Sequence, residues 1–174
     1  VKDKGGANPL EEFEPMDLKG EYRLPAPRQV VWEALNDEVV LQACIPGCDS
    51  LQRLSDTVLA VEATAKVSLL KARFTGEVRL ENVRAPESYR IVGEGKGGIA
   101  GFAKGAADVV LTEDGAETIL RYSVDAEVGG RIAQIGGKFI GAAAARLSEK
   151  FFDRFAAHVA GEHAKAVGET RAIA

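Results

Sequence analysis

The sequence predicts an α+β fold: a curved antiparallel sheet of about seven strands, two short helices after the first strand, and a long C-terminal helix laid across the sheet. Three observations carry the prediction. Apolar and polar side chains alternate along most of residues 50–128, the pattern of strands with one buried face. Turn signals cut that stretch at short intervals, so consecutive strands pair as a meander. Over residues 130–160 the apolar repeat changes to the helical one and is sustained.

The first strand covers residues 17–24, with Leu18, Gly20, Tyr22 and Leu24 on one face and Lys19, Glu21 and Arg23 on the other. Pro25 and Pro27 end it. Pro27 suits a first helical turn, where its missing N–H costs nothing. Val30, Val31, Ala34 and Leu35 then share one helical face, with Trp32 beside it. Asn36-Asp37 breaks this helix and caps a second over 38–43, before the turn Ile45-Pro46-Gly47. Strands follow at 50–55, 57–65, 68–84, 88–96, 103–112 and 117–128. The clearest is 68–84, where Ala72, Phe74, Gly76, Val78 and Leu80 alternate with Lys71, Arg73, Thr75, Glu77 and Arg79. Glu113-Asp114-Gly115 closes a hairpin. In the last helix Ile132, Ile135, Phe139, Ala143, Leu147 and Phe151 make the apolar stripe, and Gly161 ends it. A meander gripping one long helix is the helix-grip architecture. Met16 is the only methionine, and the folded pattern starts beside it. Residues 1–15 therefore read as a leader, 16–160 as one ligand-binding domain and 161–174 as a flexible tail.

A net charge of -4 opposes a nucleic-acid partner, which asks for a basic face. The most apolar run, 132–145, is short and interrupted by Lys138, so it does not read as a membrane span. Two cysteines without a secretory signal point to a reducing, cytoplasmic compartment.

Cys44 and Cys48 lack the further ligands a zinc site needs, since His158 and His163 lie far along the chain; they read as small residues packing a turn. Gly93-Glu-Gly-Lys-Gly-Gly98 matches a dinucleotide fingerprint in letters only. Strand alternation, not a helix, follows it. Gly93, Gly95, Gly105 and Ala107 instead strip a strand pair of side chains on its inner face, leaving space for the helix or for a ligand. Gly136, Gly137 and Gly141 each cost about 1 kcal/mol in a helix interior, a cost met either by close packing or by a ligand mouth. No catalytic constellation emerges: Ser68, Ser88 and Ser123 have no visible partner, and Asp108, Asp125 and Glu127 fall on the solvent face of their strands.

Four segments resemble the carbon monoxide dehydrogenase G-subunit family, within the START-like/polyketide cyclase superfamily. They are Pro27-Arg-Gln-Val-Val-Trp32, Leu41-Gln-Ala-Cys-Ile-Pro-Gly-Cys48, the glycine-rich run 93–98, and Gly136-Gly-Lys-Phe-Ile140 followed by Lys150-Phe-Phe152. The resemblance spans residues 16–160, and Cys-Ile-Pro-Gly is its most specific piece. It implies a non-catalytic accessory protein of an aerobic molybdenum hydroxylase. It also implies an internal cavity for a lipid- or quinone-like ligand and a place peripheral to the inner face of the membrane. Many members of the family carry an anchoring C-terminal segment. No other cofactor and no metal are expected. An enzyme of cyclase or hydrolase type using the same pocket, and a docking protein with a filled pocket, remain alternatives.

The inner faces nominate Phe74, Val78, Ile91, Val109, Leu111, Leu120, Tyr122, Val124, Ile132, Ile135 and Phe139 as ligand-binding residues. The Tyr122 hydroxyl is the polar group suited to orient a carbonyl.

Overall fold

The computed structural model describes residues 13–173. The chain runs β1 (Phe13–Leu24), α1 (Arg28–Leu35), α2 (Glu38–Cys44), β2 (Cys48–Arg53), β3 (Val58–Val67), β4 (Leu70–Arg84), β5 (Ser88–Lys96), β6 (Phe102–Asp114), β7 (Glu117–Gly129) and α3 (Gly137–Ile173). A 3-10 turn, Gly98–Ala100, joins β5 to β6, and another, Gly130–Ile135, joins β7 to α3. All strands pair antiparallel in one sheet of order β1-β7-β6-β5-β4-β3-β2. The predicted meander is thus present, and β1 closes against β7 by crossing from the start of the chain.

The short helices form where the sequence places them. Asp37 caps α2, its carboxylate accepting from the Val39 and Val40 amides at 2.9 and 3.2 Å. Arg53 ties both helices to the sheet, donating to the Asn36 carbonyl at 2.8 Å and to Glu38 at 3.2 Å. Fully buried Thr118 donates its hydroxyl to the Ala26 carbonyl at 2.8 Å and so fixes the link between β1 and α1.

Strand ends shift by a residue or two, and three differences from expectation go further. β1 starts at Phe13, so Phe13–Pro15 of the expected leader pair with β7 opposite Gly129–Glu127; residues 1–12 lie outside the described residues. The final helix is divided. Gly136 takes φ +98° between the 3-10 turn and α3, a left-handed value that glycine adopts without strain. Residues 161–173, expected as a tail, continue α3, because alanines and i,i+3 pairing such as Lys165–Glu162 sustain a helix without an apolar stripe.

The interior is split into two apolar clusters. One lies toward the short helices and packs Leu24, Val31, Trp32, Tyr89 and Leu120 against Phe152, Phe155 and Val159 of α3. The other lies at the opposite end of the sheet, where Val67, Val128, Ile132, Ala133 and Ile140 meet. α3 spans both: Ile140 packs in the second cluster, and Phe152 stacks on Tyr22 of β1 at 3.9 Å in the first.

Candidate functional site

Between the two clusters the inner face of the sheet is nearly bare. Strand register explains why. Val61, Gly76, Gly95 and Ala103 stand opposite one another in a row across four strands. Val78, Gly93, Gly105 and Ala126 make the next row, and Ala63 stands opposite Phe74. Glycine and alanine therefore recur along rows that cross the sheet, with little long enough to fill the space. The result is an open cavity of about 310 Å³ whose walls come from β3 to β7. Its size falls at the lower end of small-ligand sites.

Several of the glycines are needed by the sheet itself. A Cβ at Gly76 would collide with the Glu94 carbonyl oxygen, and one at Gly105 would collide with Ala126. At Gly95 it would meet only the Phe74 Cβ at 3.8 Å and the Thr75 carbonyl at 4.0 Å, which is ordinary contact. Gly95 thus leaves room that backbone packing does not demand.

Of the nominated residues, Phe74, Val78, Ile91 and Val124 line this cavity. Val109, Leu111 and Leu120 do not; they are buried in the cluster against the short helices, because α1 and α3 fill that end of the sheet. Tyr122 sits at the border of that cluster, stacked with Tyr22 at 6.3 Å and Phe152 at 5.5 Å, its ring lying over Gly20. It is not a wall of the cavity. Ile132 and Ile135 belong to the second cluster. Phe139 faces solvent. The break at Gly136 resets the helical phase, so the stripe drawn continuously from Ile132 through Phe139 does not persist on one face. Nor does α3 supply walls, since it packs chiefly against β1 and the short helices.

Sequence reasoning singled out Gly93, Gly95, Gly105 and Ala107 as space but did not name Val61, Ala63, Gly76, Ala103 and Ala126 as walls. The signal was there, in small residues at alternate positions of successive strands. Reading it requires knowing which residues stand opposite one another.

The chemistry of the cavity follows from strand parity. Glu77, Glu94 and Lys104 alternate with inward residues, so their backbone borders the cavity while their side chains lie on the other face. That outer face holds a larger depression, of about 1090 Å³, walled by charges of both signs. Arg79–Glu81 at 3.4 Å and Lys104–Glu127 at 3.6 Å pair there in water, so it suits solvent rather than an apolar molecule.

Burial raises the Cys44 and Cys48 thiols, and the Tyr22 phenol is raised by burial and then by Tyr122, Glu149 and Asp153. Both cysteines are free, and Cys48 Sγ approaches the Ser50 carbonyl at 3.6 Å. Among the described residues no group of three or more His, Cys, Asp or Glu could hold a metal ion, and no helix is long and apolar enough to cross a membrane.

Comparisons with known proteins agree with this geometry. A conserved protein from Geobacillus kaustophilus superposes with a TM-score of 0.80 at 28% identity, over 85% of this chain and 97% of that one. The ZhuI aromatase/cyclase from Streptomyces sp. R1128 gives 0.62 at 16% identity, over 84% and 94%. A START superfamily protein from Mycobacterium smegmatis gives 0.58 at 13% identity, over 86% and 98%. At these last identities the likeness shows the fold alone. No curated protein matches. The family profile of the carbon monoxide dehydrogenase G subunit (CoxG) matches residues 20–160, and this chain, with its seven-stranded helix-grip fold, belongs to that family.

Proposed function

We propose that this chain is a non-catalytic accessory protein of an aerobic molybdenum hydroxylase of the carbon monoxide dehydrogenase type, holding a lipid- or quinone-like ligand against the inner face of its sheet. The coarser statement, a hydrophobic-ligand-binding domain, rests on the family and the fold. The single observation supporting the apolar ligand is the bare belt between the two clusters; the accessory role rests on the family. The belt's walls are Val61, Phe74, Val78, Ile91 and Val124 with glycines and alanines, and the ionisable neighbours on the same strands face away. Burying an apolar chain there gains about 25 cal/mol per Å². The walls present no inward acid–base pair for a general-acid mechanism, which favours carriage over cyclase chemistry.

The test is binding by the full chain of a fluorescent fatty acid, displaced by a quinone analogue. The parent should bind, and Val78→Asp should abolish binding while keeping the fold by circular dichroism, because an unpaired carboxylate in an apolar wall is costly. Equal binding by parent and variant would place the ligand elsewhere. Turnover of a polyketide-like substrate by the isolated protein would overturn the non-catalytic reading. Failure to associate with a molybdenum hydroxylase from its own host would overturn the accessory role and leave the ligand site standing.

A further inference from the structure

The two edges of the sheet are protected very differently. β2 is 6 residues long, carries a register shift between Cys48 and Ser50, and packs against α2, whose Gln42 side chain donates to the Asp49 carbonyl at 3.1 Å. Short length, a bulge and cover are common ways of closing an edge. β1 has a different build. It runs for 12 residues in unbroken register with β7, and no backbone hydrogen bond joins residues 16–23 to anything else among the described residues. α3 reaches β1 from the inner face, through Tyr22 and Glu14.

Parity decides which groups the open edge presents. The two-residue turn Gly115-Ala116 makes Asp114 and Glu117 a hydrogen-bonded pair, so odd residues of β7 bond to β6 and even ones to β1. Their partners in β1 are the even residues, and the odd ones turn N–H and C=O outward. Pro15 agrees, since it has no N–H to give and stands where β7 asks for none. The outward residues that follow are Asp17, Lys19, Glu21 and Arg23, all with exposed side chains.

Charge identifies the occupant. Within the chain Glu21 pairs with Arg121 at 2.7 Å and Arg23 with Asp114 at 2.5 Å. Asp17 and Lys19 form no ion pair among the described residues, and Asp17 stands opposite another carboxylate, Asp125. Consider a second β1 laid antiparallel along this edge, with Gly20 facing Gly20. Asp17 then stands opposite Arg23 and Lys19 opposite Glu21, twice over, so both unpaired charges gain a partner of opposite sign. Sliding the strands by two residues either way sets Lys19 or Glu21 against itself. Sliding by one sets outward backbone against residues already bonded to β7. On the inner face Leu18, half-buried and outside both apolar clusters, comes to lie opposite Tyr22.

We infer that β1 is the interface of a two-fold homodimer, in which the sheets of two copies join edge to edge through main-chain hydrogen bonds. The inference goes beyond the ligand reading and is independent of it, because the cavity walls come from β3 to β7.

The test uses the full chain. Sedimentation equilibrium should show a dimer that loosens as salt is added. Lys19→Glu alone and Glu21→Lys alone should each raise its dissociation constant by roughly tenfold or more, since each sets like charges opposite at both places related by the axis. An equimolar mixture of the two variants should dimerise as the parent does, because two carboxylates of one chain then face two lysines of the other. Both positions are exposed, so the variants should melt like the parent. Hydrogen exchange of the parent gives a second readout that needs no variant. The Lys19 and Glu21 amides should exchange slowly in the dimer and fast on dilution to the monomer, while those of Leu18 and Gly20, bonded to β7, stay slow in both. A parent that is monomeric at every concentration overturns the proposal. So does a dimer that neither variant weakens, one that the mixture fails to restore, or one whose Lys19 and Glu21 amides exchange as in the monomer.

Discussion

At the residue scale, glycine does two different jobs on the inner face, and they predict opposite outcomes for the same change. Gly105 is held against Ala126 and the Asp125 carbonyl, so Gly105→Val must push strands apart. It should destabilise by about 1–3 kcal/mol, as overpacking does. Gly95 has ordinary contact distances around an added Cβ. Gly95→Val should keep or raise stability, since a β-branched residue suits a strand, yet it fills the cavity beside Phe74. Fatty-acid affinity should fall while the melting temperature holds. A Gly95→Val protein that binds as the parent does would show that the belt is not where the ligand lies. The sequence alone could not make this distinction, because both glycines occupy alternate positions in alternating strands, and only the register decides what stands opposite each.

At the scale of elements, the sheet was legible and the end of the chain was not. Period-two alternation fixes strand identity because a shift of one residue would turn every apolar side chain to water. Thus 88–96 was read with the bounds that the structure gives, and the others moved by a few residues. The final helix was drawn from one continuous apolar stripe, but a stripe does not reveal a change of phase. Gly136, at φ +98°, inserts that change, and it carried Phe139 from the expected interior to the surface. A side chain at Gly136 would meet nothing within 4 Å, so space does not require glycine there; the backbone angle does. Gly136→Ala should therefore cost about 1–3 kcal/mol, the penalty of a positive-φ, extended-ψ backbone that residues with a Cβ sparsely occupy. Gly141→Ala, which also has open space but lies inside α3, should instead stabilise by about 0.5–1 kcal/mol. Urea melts of the pair compare the two effects directly. Equal shifts would mean that the break is not a rigid feature of the fold.

At the scale of the whole molecule, two clusters carry the stability and the belt between them carries the proposed function. This division explains which of the nominated residues border the belt and which are covered. Inward position was readable for each strand residue, but which inward residues line space and which are covered depends on where α1, α2 and α3 lie. Alternation alone presents Val109, Leu111 and Leu120 as walls, yet they are core, packed in one cluster with Trp32 and Phe155. The same burial gives the fold its response to pH. Tyr89 lies in that cluster, edge-to-face with Trp32 at 5.4 Å, and burial raises its phenol well above the ordinary value. Cys44, Cys48 and Tyr22 are raised as well, each first by burial. An unfolded chain releases these protons near about 8.5 for a thiol and about 10 for a phenol. The folded chain keeps them to higher pH, so between the two values the unfolded state gains the charge and is favoured. The contribution of these groups is whole below the unfolded values and is lost as pH climbs through the folded ones. Urea midpoints should accordingly decline as pH rises from about 8.5 and fall more steeply above about 10. Tyr89→Phe keeps the ring against Trp32 and removes the largest of these titrations. Its midpoint should drop less between neutral and strongly alkaline pH than that of the parent. Parallel declines in the two proteins would show that Tyr89 ionises in the folded state as it does in the unfolded chain, and that the cluster is open to water there.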